Sequence, residues 1–222
     1  GQDTLEVPLE WSSPDGLSAR KIYTFRRGSY EIGLRYEIRN DTASAWQGAS
    51  YLQIRRRHVP PDRSMTDVDS YSYRGPIVYN GDSYEKLDLD DLLDEPLRMT
   101  ATGGWLASIQ HHFLTAIIPP GDEAASLTGG ARGDVYTLSA VGAVREVPAG
   151  ATGTFDDSLF VGPKIQEQLR AAAPGLELSV DYGFLTIISQ PLFWVLDKLH
   201  GLTGNWGWAI ILLTVLIKLV FY

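Results

Sequence analysis

The chain has 222 residues, a formal net charge of −8 and no cysteine. This length fits one large all-β domain or two small ones. The acidic balance argues against a general nucleic-acid-binding protein, and the lack of cysteine excludes disulfides, a thiol nucleophile and a Cys-ligated metal site.

The two ends of the chain differ sharply. The start, GQDTLEVPLEW, is polar and begins with glycine, so no signal peptide is visible there. The end is an apolar run that stops abruptly. We therefore expect further residues of the protein on both sides of this sequence.

Residues 1 to about 161 have the pattern of short β-strands. In YEIGLRYEIR (30–39), apolar or aromatic residues alternate with mostly charged ones, which predicts one buried and one solvated face. Turn signals such as Asn80-Gly81-Asp82 separate the segments. Many short strands with such punctuation predict an antiparallel sandwich. Further strands are predicted at 4–11, 21–26, 50–56, 105–118, 134–147 and 152–161.

The pattern changes to helical at Pro163. A helix over 163–173 is predicted, with Pro163 as its first residue and Pro174-Gly175 as its end. Residues 176–182 read as one more strand. Beyond them, Leu192, Val195, Leu196, Leu199 and Leu202 recur at helical spacing. Such an amphipathic helix either lies in a membrane interface or packs on a soluble domain. Its periodicity alone does not distinguish these two environments.

The last segment, 206–222, is apolar at nearly every position except Lys218. Trp206 and Trp208 at its start suit a membrane–water interface. A core helix is usually shorter and keeps a polar side, so we predict the start of a transmembrane helix. Lys218 lies twelve residues after Trp206, which is about 18 Å along a helix and just past the middle of a bilayer core of roughly 30 Å.

Several stretches match a known family. They are VDYG (180–183), QPLF (190–193), His200 and GNWG (204–207). Shorter matches lie upstream, at 74–75, 84–86, 103–105, 116–119 and 161–163. Together they resemble the YidC membrane-protein insertase family of Gram-negative bacteria, over nearly the whole chain.

The resemblance implies an architecture. Residues 1–180 would be a mainly β, antiparallel, twisted two-sheet supersandwich in the periplasm. Residues 181–203 would form an amphipathic interfacial helix, and 204–222 the start of the first core transmembrane helix in the inner membrane. It also implies an insertase that is not an enzyme and needs no cofactor. Its partners would be nascent inner-membrane proteins, the Sec translocon with its accessory subunits, and the phospholipid bilayer, but no nucleic acid.

The resemblance also suggests which residues act. Family members carry a positive residue, commonly Arg, at the position of Lys218, facing a hydrophilic groove that receives polar parts of the substrate. Lys lacks the bidentate fork of Arg, so general attraction to acidic groups is expected to remain while bidentate contacts are lost. The alternative is that Lys218 snorkels to the far interface. The predicted membrane-interface residues are Phe184, Phe193, Trp194, Trp206 and Trp208.

Three other clusters favour ordinary structural roles. His111 and His112, if adjacent on a strand, would point to opposite faces and could not share a metal ion, so no metal site is predicted. The acidic run DLDDLLDE (88–95) lacks the glycine of a calcium loop and is predicted to be a solvated loop or short helix. The basic run Arg55-Arg56-Arg57 is predicted to pair with acidic groups on the sheet surface.

A rival function comes from the fold class that the resemblance implies. Supersandwiches also occur in sugar-binding and sugar-mutarotating enzymes, which need a histidine and a carboxylate in one cleft. His111 or His112 could serve, but no spacing selects an acidic partner. The alternative function is therefore a carbohydrate- or lipid-binding module tethered to the membrane. A plain tethered scaffold is a third reading, and it predicts that Lys218 can be replaced freely.

Overall fold

The computed structural model describes residues 3–60, 73–180 and 186–221. The chain divides into two compact units, Gly1–Val180 and Asp181–Tyr222. The first unit contains all the described strands, and the second contains two helices.

The largest sheet of the first unit has eight antiparallel strands. Its strands, in spatial order, are β1 (Thr4–Ser12), β2 (Leu17–Arg26), β3 (Glu31–Asn40), β14 (Thr152–Pro163), β10 (Phe113–Ile118), β9 (Trp105–Ile109), β6 (Gly75–Tyr79) and β7 (Tyr84–Lys86). The sheet begins as a meander, because β1, β2 and β3 are consecutive neighbours. The last strand, β14, lies between β3 and β10 and pairs with both of them. It thus connects the N-terminal meander to the strands from later in the chain.

Two smaller antiparallel sheets complete the β-structure. The four-stranded sheet has the order β5 (Tyr51–Arg57), β12 (Val135–Val141), β11 (Ala124–Arg132) and β8 (Leu97–Thr102). The two-stranded sheet pairs β13 (Arg145–Val147) with β4 (Trp46–Gly48).

A hydrophobic core lies between the eight-stranded and four-stranded sheets. The larger sheet contributes Leu34, Val78, Leu106 and Ile117. The smaller sheet contributes Leu52, Ile54, Ala101, Ala125, Leu127, Tyr136, Leu138 and Ala140. These side chains alternate along their strands with residues of the opposite face, as strand geometry requires. The predicted mainly β, antiparallel two-sheet supersandwich is confirmed.

A second core covers the other face of the large sheet. It is built on Ile77, Trp105, Ala107 and Phe160, which alternate with the first core's residues. A short helix α2 (Gln166–Ala172) and a 3₁₀ helix (Leu176–Ser179) close this face. The Trp105 indole stacks on Tyr79 with centroids 5.4 Å apart and donates to the Pro174 carbonyl at 2.9 Å.

Two predicted strands are in fact pairs of strands. The segment 105–118 is the hairpin β9–β10, closed by a turn in which the Gln110 N–H donates to the Phe113 carbonyl at 2.9 Å. His111 and His112 lie in this turn, with ring centroids 3.8 Å apart, so the argument that a strand separates them was wrong. The segment 134–147 divides between β12 and β13, which belong to different sheets.

The predictions near Pro163 were also partly wrong. Pro163 is the last residue of β14, and the helix begins at Gln166 instead. Residues 176–179 form a 3₁₀ helix rather than a strand, since Leu176 must turn inward to fill the second core.

Five strands were not predicted at all. One of them, β6, is buried on both faces and so has no alternating pattern to detect. The others are β4, β7, β8 and β11. The acidic run, by contrast, contains a short helix α1 (Leu89–Asp94), as predicted, and its N-terminus is capped by the Asp88 carboxylate, which accepts from the Asp90 N–H at 3.1 Å.

Candidate functional site

The second unit is a helical hairpin of α3 (Thr186–Thr203) and α4 (Trp206–Phe221). Gly204 ends α3 in the left-handed conformation, with φ +62°, and its N–H donates to the His200 carbonyl at 2.7 Å. Asn205 then caps α4, since its side-chain oxygen accepts from the Gly207 N–H at 2.8 Å. A turn of two residues therefore brings the start of α4 back against the end of α3.

One side of α4 is covered and the rest is exposed. Ala209 is fully buried, and Leu213 and Ile217 are half-buried at successive intervals of four residues. Most of the remaining surface is apolar, and its exposed side chains include Trp208, Ile210, Ile211, Leu212, Val215, Leu216 and Leu219. A contiguous exposed apolar surface of this kind marks contact with lipid or with another protein. No described helix meets the length and hydropathy that a membrane crossing requires.

Lys218 lies exposed in the last turn of α4. One turn earlier on the same face is Thr214, whose hydroxyl donates back to the Ile210 carbonyl at 2.8 Å. None of the ion pairs between described residues involves Lys218. Its positive charge is thus presented from an otherwise apolar surface.

The predicted aromatic residues fall at two levels of the hairpin. Trp206 and Trp208 begin α4 beside the turn, and both are exposed. Phe193 and Trp194 are exposed in the middle of α3, and the Lys198 ammonium lies 5.9 Å from the centroid of the Trp194 ring. Phe184 lies outside the described residues. The aromatic side chains do not meet in one cluster.

The apolar stripe of α3 lies largely on its covered side. Leu192, Val195, Leu196 and Leu199 are half-buried, whereas Leu202 is 84% exposed and departs from the predicted stripe. Since α3 contacts α4, this side serves the packing of the hairpin. Whether α3 also lies in a membrane interface stays a prediction.

The arginine run on β5 divides between two environments. Arg57 is exposed and pairs with Asp134 at 2.9 Å, as predicted. Arg56 instead follows Leu52 and Ile54 on the inner face, and its guanidinium donates to the Ser108 hydroxyl at 3.4 Å. The prediction that the whole run pairs on the surface was therefore wrong for Arg56. The period of two along β5 was the signal that could have shown this.

A buried carboxylate was missed by the sequence analysis. Asp157 on β14 is buried, and it accepts from the Ser50 hydroxyl at 3.2 Å. Burial raises the pKa of Asp157 from 3.8 to about 6, and the Ser50 hydrogen bond offsets part of this effect. Asp156 next to it is exposed and pairs with Arg35 at 2.6 Å, so the sequence pair Asp-Asp did not show which member is buried.

Metal ligation has little support in the described part of the chain. There, no three histidine, aspartate or glutamate side chains gather closely enough to hold an ion. His111 and His112 are close together, but they form only a pair.

Residues 1–195 match the family profile described as the YidC periplasmic domain. The chain belongs to this YidC family. A relative from Thioalkalivibrio sulfidiphilus, named membrane protein insertase YidC, is 43% identical over the whole chain. A relative of the same name from Azotobacter vinelandii is 41% identical over the whole chain.

The match covers only part of these YidC relatives. The chain spans 40% of the length of each of the two. Membership nevertheless confirms the predicted family, and the matched family is described as the periplasmic domain of YidC.

Solved structures resemble the YidC domain at low sequence identity. A galactose mutarotase-like protein from Lactobacillus casei superimposes with a TM-score of 0.44 and 12% identity, over 73% of this chain and 70% of that one.

Proposed function

We propose that this chain is the periplasmic and first membrane-entering part of an insertase that helps inner-membrane proteins insert and fold. The observation that carries the proposal is Lys218, an exposed positive charge on a helix whose other exposed side chains are almost all apolar. Residues 204–222 would start the first core transmembrane helix. The remaining core helices would belong to the part of the protein outside this sequence.

The physical basis is the cost of moving polar groups through hydrocarbon. Charges and backbone groups that lose water without new partners are strongly disfavoured there. A charge such as Lys218 in the membrane is also costly unless it meets water or a partner, which favours a functional role. Lys218 in a wet groove would attract acidic parts of the substrate electrostatically. Burial of the substrate's own apolar helix in lipid would then drive insertion, without a nucleotide.

The phospholipid bilayer is the proposed environment of the hairpin. Exposed Phe193 and Trp194 on α3, and Trp206 and Trp208 on α4, would sit at the membrane–water interface. Residues 181–203 would then act as the interfacial helix that holds the sandwich at the periplasmic surface. This proposal is supported by the exposure of these four aromatic side chains.

The finer partners are also proposals. Nascent inner-membrane proteins would be the substrates, and the Sec translocon with its accessory subunits would work with the insertase on some of them. Support for these partners comes from family membership. The sandwich would serve as a docking domain, while the membrane core carries out insertion.

The test replaces Lys218 in the full-length protein. Insertion of a single-span client is measured in cells depleted of their own insertase, for Lys218→Arg, Lys218→Leu and Lys218→Glu. We expect Arg to support insertion, Leu to reduce it and Glu to abolish it at equal protein levels. The matched control is Lys198→Glu, since Lys198 is exposed on α3 and lies outside the apolar helix; it is expected to insert the client normally.

If Lys218→Glu inserts the client as well as the unchanged protein, the charge has no role in insertion. If Lys198→Glu fails as severely as Lys218→Glu, loss of positive charge near the membrane explains both, and the specific role of Lys218 is rejected.

A further inference from the structure

A cationic cavity opens at one end of the β-sandwich. It has a volume of about 230 Å³, and the residues that line it include Arg56, Arg57, Arg74, His58 and His111. Among the residues that the structure describes, no carboxylate lines it. Such a concentration of donors is unexpected in a chain with a net charge of −8.

Arg74 is the residue that sets this cavity apart. Seven other arginines lie within 4.0 Å of a carboxylate in the described structure. They are Arg20, Arg27, Arg35, Arg39, Arg57, Arg145 and Arg170. Arg74 belongs to no such pair, and its Nε is buried without a hydrogen-bond acceptor among the described residues. A buried guanidinium N–H without an acceptor is costly, and an anionic ligand would supply one.

Arg56 also lines the cavity, and its guanidinium contacts buried neighbours. Its guanidinium donates to Ser108, which is fully buried and shares a 2.6 Å hydrogen bond with the hydroxyl of buried Tyr136. Burial raises the pKa of Tyr136, so the hydroxyl stays neutral and able to donate. These contacts hold Arg56 in place before any ligand arrives, which lowers the entropic cost of binding.

A larger, apolar cavity adjoins the cationic one. It has a volume of about 550 Å³ and shares Arg56 and Gln110 with its neighbour. Phe113 and Val161 line it, and both are exposed to solvent. The two cavities together therefore offer a cationic compartment next to an apolar one.

We propose that the cationic cavity binds a phosphate group, with Arg56 and Arg74 as its principal donors. Arginine pairs with phosphate through parallel N–H bonds, and both arginines line the cavity. The adjoining apolar cavity favours a ligand in which the phosphate carries acyl chains, such as a phospholipid headgroup with its glycerol ester. This site is independent of Lys218 and of the insertion reaction.

The first experiment measures binding of inorganic phosphate to the whole 222-residue chain in nonionic detergent. Isothermal titration calorimetry at constant ionic strength, with chloride as the competing salt, gives the affinity. We expect saturable binding in the millimolar range or tighter. Arg74→Gln is expected to weaken it about tenfold or more, because a hydrogen bond to a charged group is lost. Arg74→Lys keeps the positive charge but loses the bidentate guanidinium group. Its phosphate affinity is expected to lie between those of the unchanged chain and Arg74→Gln.

The matched control is Arg26→Gln. Arg26 is exposed at the end of β2 and does not line either cavity, so its variant is expected to bind phosphate like the unchanged chain. Circular dichroism checks that all three variants fold. Absence of saturable phosphate binding to the unchanged chain, or equal affinity of Arg74→Gln and the unchanged chain, would overturn the proposal.

A second titration separates free phosphate from lipid phosphate. Dihexanoyl phosphatidylglycerol is compared with inorganic phosphate, each on the unchanged chain and on Phe113→Ser. Tighter binding of the lipid that Phe113→Ser removes identifies a lipid headgroup with its chains in the apolar cavity. Equal binding of both, unaffected by Phe113→Ser, identifies free phosphate as the ligand. In either case Arg74→Gln must weaken binding of the compound that binds, and the proposal fails if it does not.

Discussion

His200 stacks on Trp206 across the turn between α3 and α4, with ring centroids 3.8 Å apart and planes 10° from parallel. The two residues come from different helices, and only the last three residues of α3 and the turn residues Gly204 and Asn205 separate them. The stack therefore joins the end of one helix to the start of the next. Trp206 has a structural contact here besides its proposed place at the membrane interface.

Loss of this stack should loosen the hairpin turn. We expect Trp206→Ala to weaken the α3–α4 contact by about 0.5–1.5 kcal/mol, the usual contribution of an aromatic pair. Limited proteolysis at Gly204-Asn205, in detergent, should then proceed faster. Trp208→Ala removes an exposed indole outside the stack and should leave the cleavage rate unchanged. Equal acceleration by both variants would show that the stack does not hold the turn.

Asp157 should make the stability of the sandwich depend on pH. Its pKa is raised from 3.8 to about 6 in the folded state, so the folded protein holds this proton more tightly than the unfolded chain. Its contribution to stability is therefore complete below about pH 4 and is lost as pH rises through about 6.

Asp157→Asn should flatten this dependence. The amide oxygen can still accept from Ser50, and no charge is buried, so we expect the variant to be about 1–2 kcal/mol more stable at pH 8. Urea unfolding between pH 4 and pH 8 measures the difference. Asp122→Asn changes an exposed carboxylate and should leave the slope as it is. A slope that persists in Asp157→Asn would assign the pH dependence to other groups.

Substitution of Trp105 should lower the free energy of unfolding far more than substitution of an exposed tryptophan. Its indole is fully buried, and its Nε1–H donates to the Pro174 carbonyl at 2.9 Å. Trp105→Phe removes the donor and leaves space, so we expect a loss of about 2–4 kcal/mol. Trp11→Phe changes a side chain that is 57% exposed on the edge strand β1 and should alter stability by less than about 0.5 kcal/mol. Urea unfolding of both variants tests this, and similar losses would contradict it.

Two glycines in the left-handed conformation should respond differently to alanine. Gly81 has φ +97°, and a Cβ there would lie 2.4 Å from the Thr102 carbonyl oxygen. Gly28 has φ +76° with no heavy atom within 4 Å of its Cβ position. Gly28→Ala should cost about 1 kcal/mol through backbone strain alone, and Gly81→Ala clearly more, through strain and steric overlap. Thermal unfolding of the pair measures the difference, and equal losses would show that the turn at Gly81 can shift.

The amount predicted from sequence depended on how each segment is buried. Strand β3 was recognised because one of its faces is buried and the other solvated, which leaves an alternating pattern. Strand β6 was missed because both of its faces are covered. The hairpin at 105–118 was read as one strand since the turn at Gln110–His112 contains neither glycine nor proline, the usual markers of a turn.

Some residues of the candidate sites were predicted from the sequence, and others were found only in the structure. Lys218, Trp206 and Trp208 were found because charge and aromatic residues stand out in an apolar run. Arg74 falls in the family match at 74–75, but that match did not show that its Nε is buried without an acceptor among the described residues. Asp157 was not found, because Asp156 beside it carries the same side chain.

By itself, the sequence determined the antiparallel sandwich, its family and the apolar helix with one lysine. Those features are local: periodicity, turn residues and hydropathy act between residues a few positions apart. Only the tertiary structure decided that Arg56 faces the buried Ser108, that Asp157 rather than Asp156 is enclosed, and that α3 folds back on α4. These outcomes depend on which distant strands become neighbours, and desolvation and hydrogen bonding then act on groups that the sequence keeps far apart.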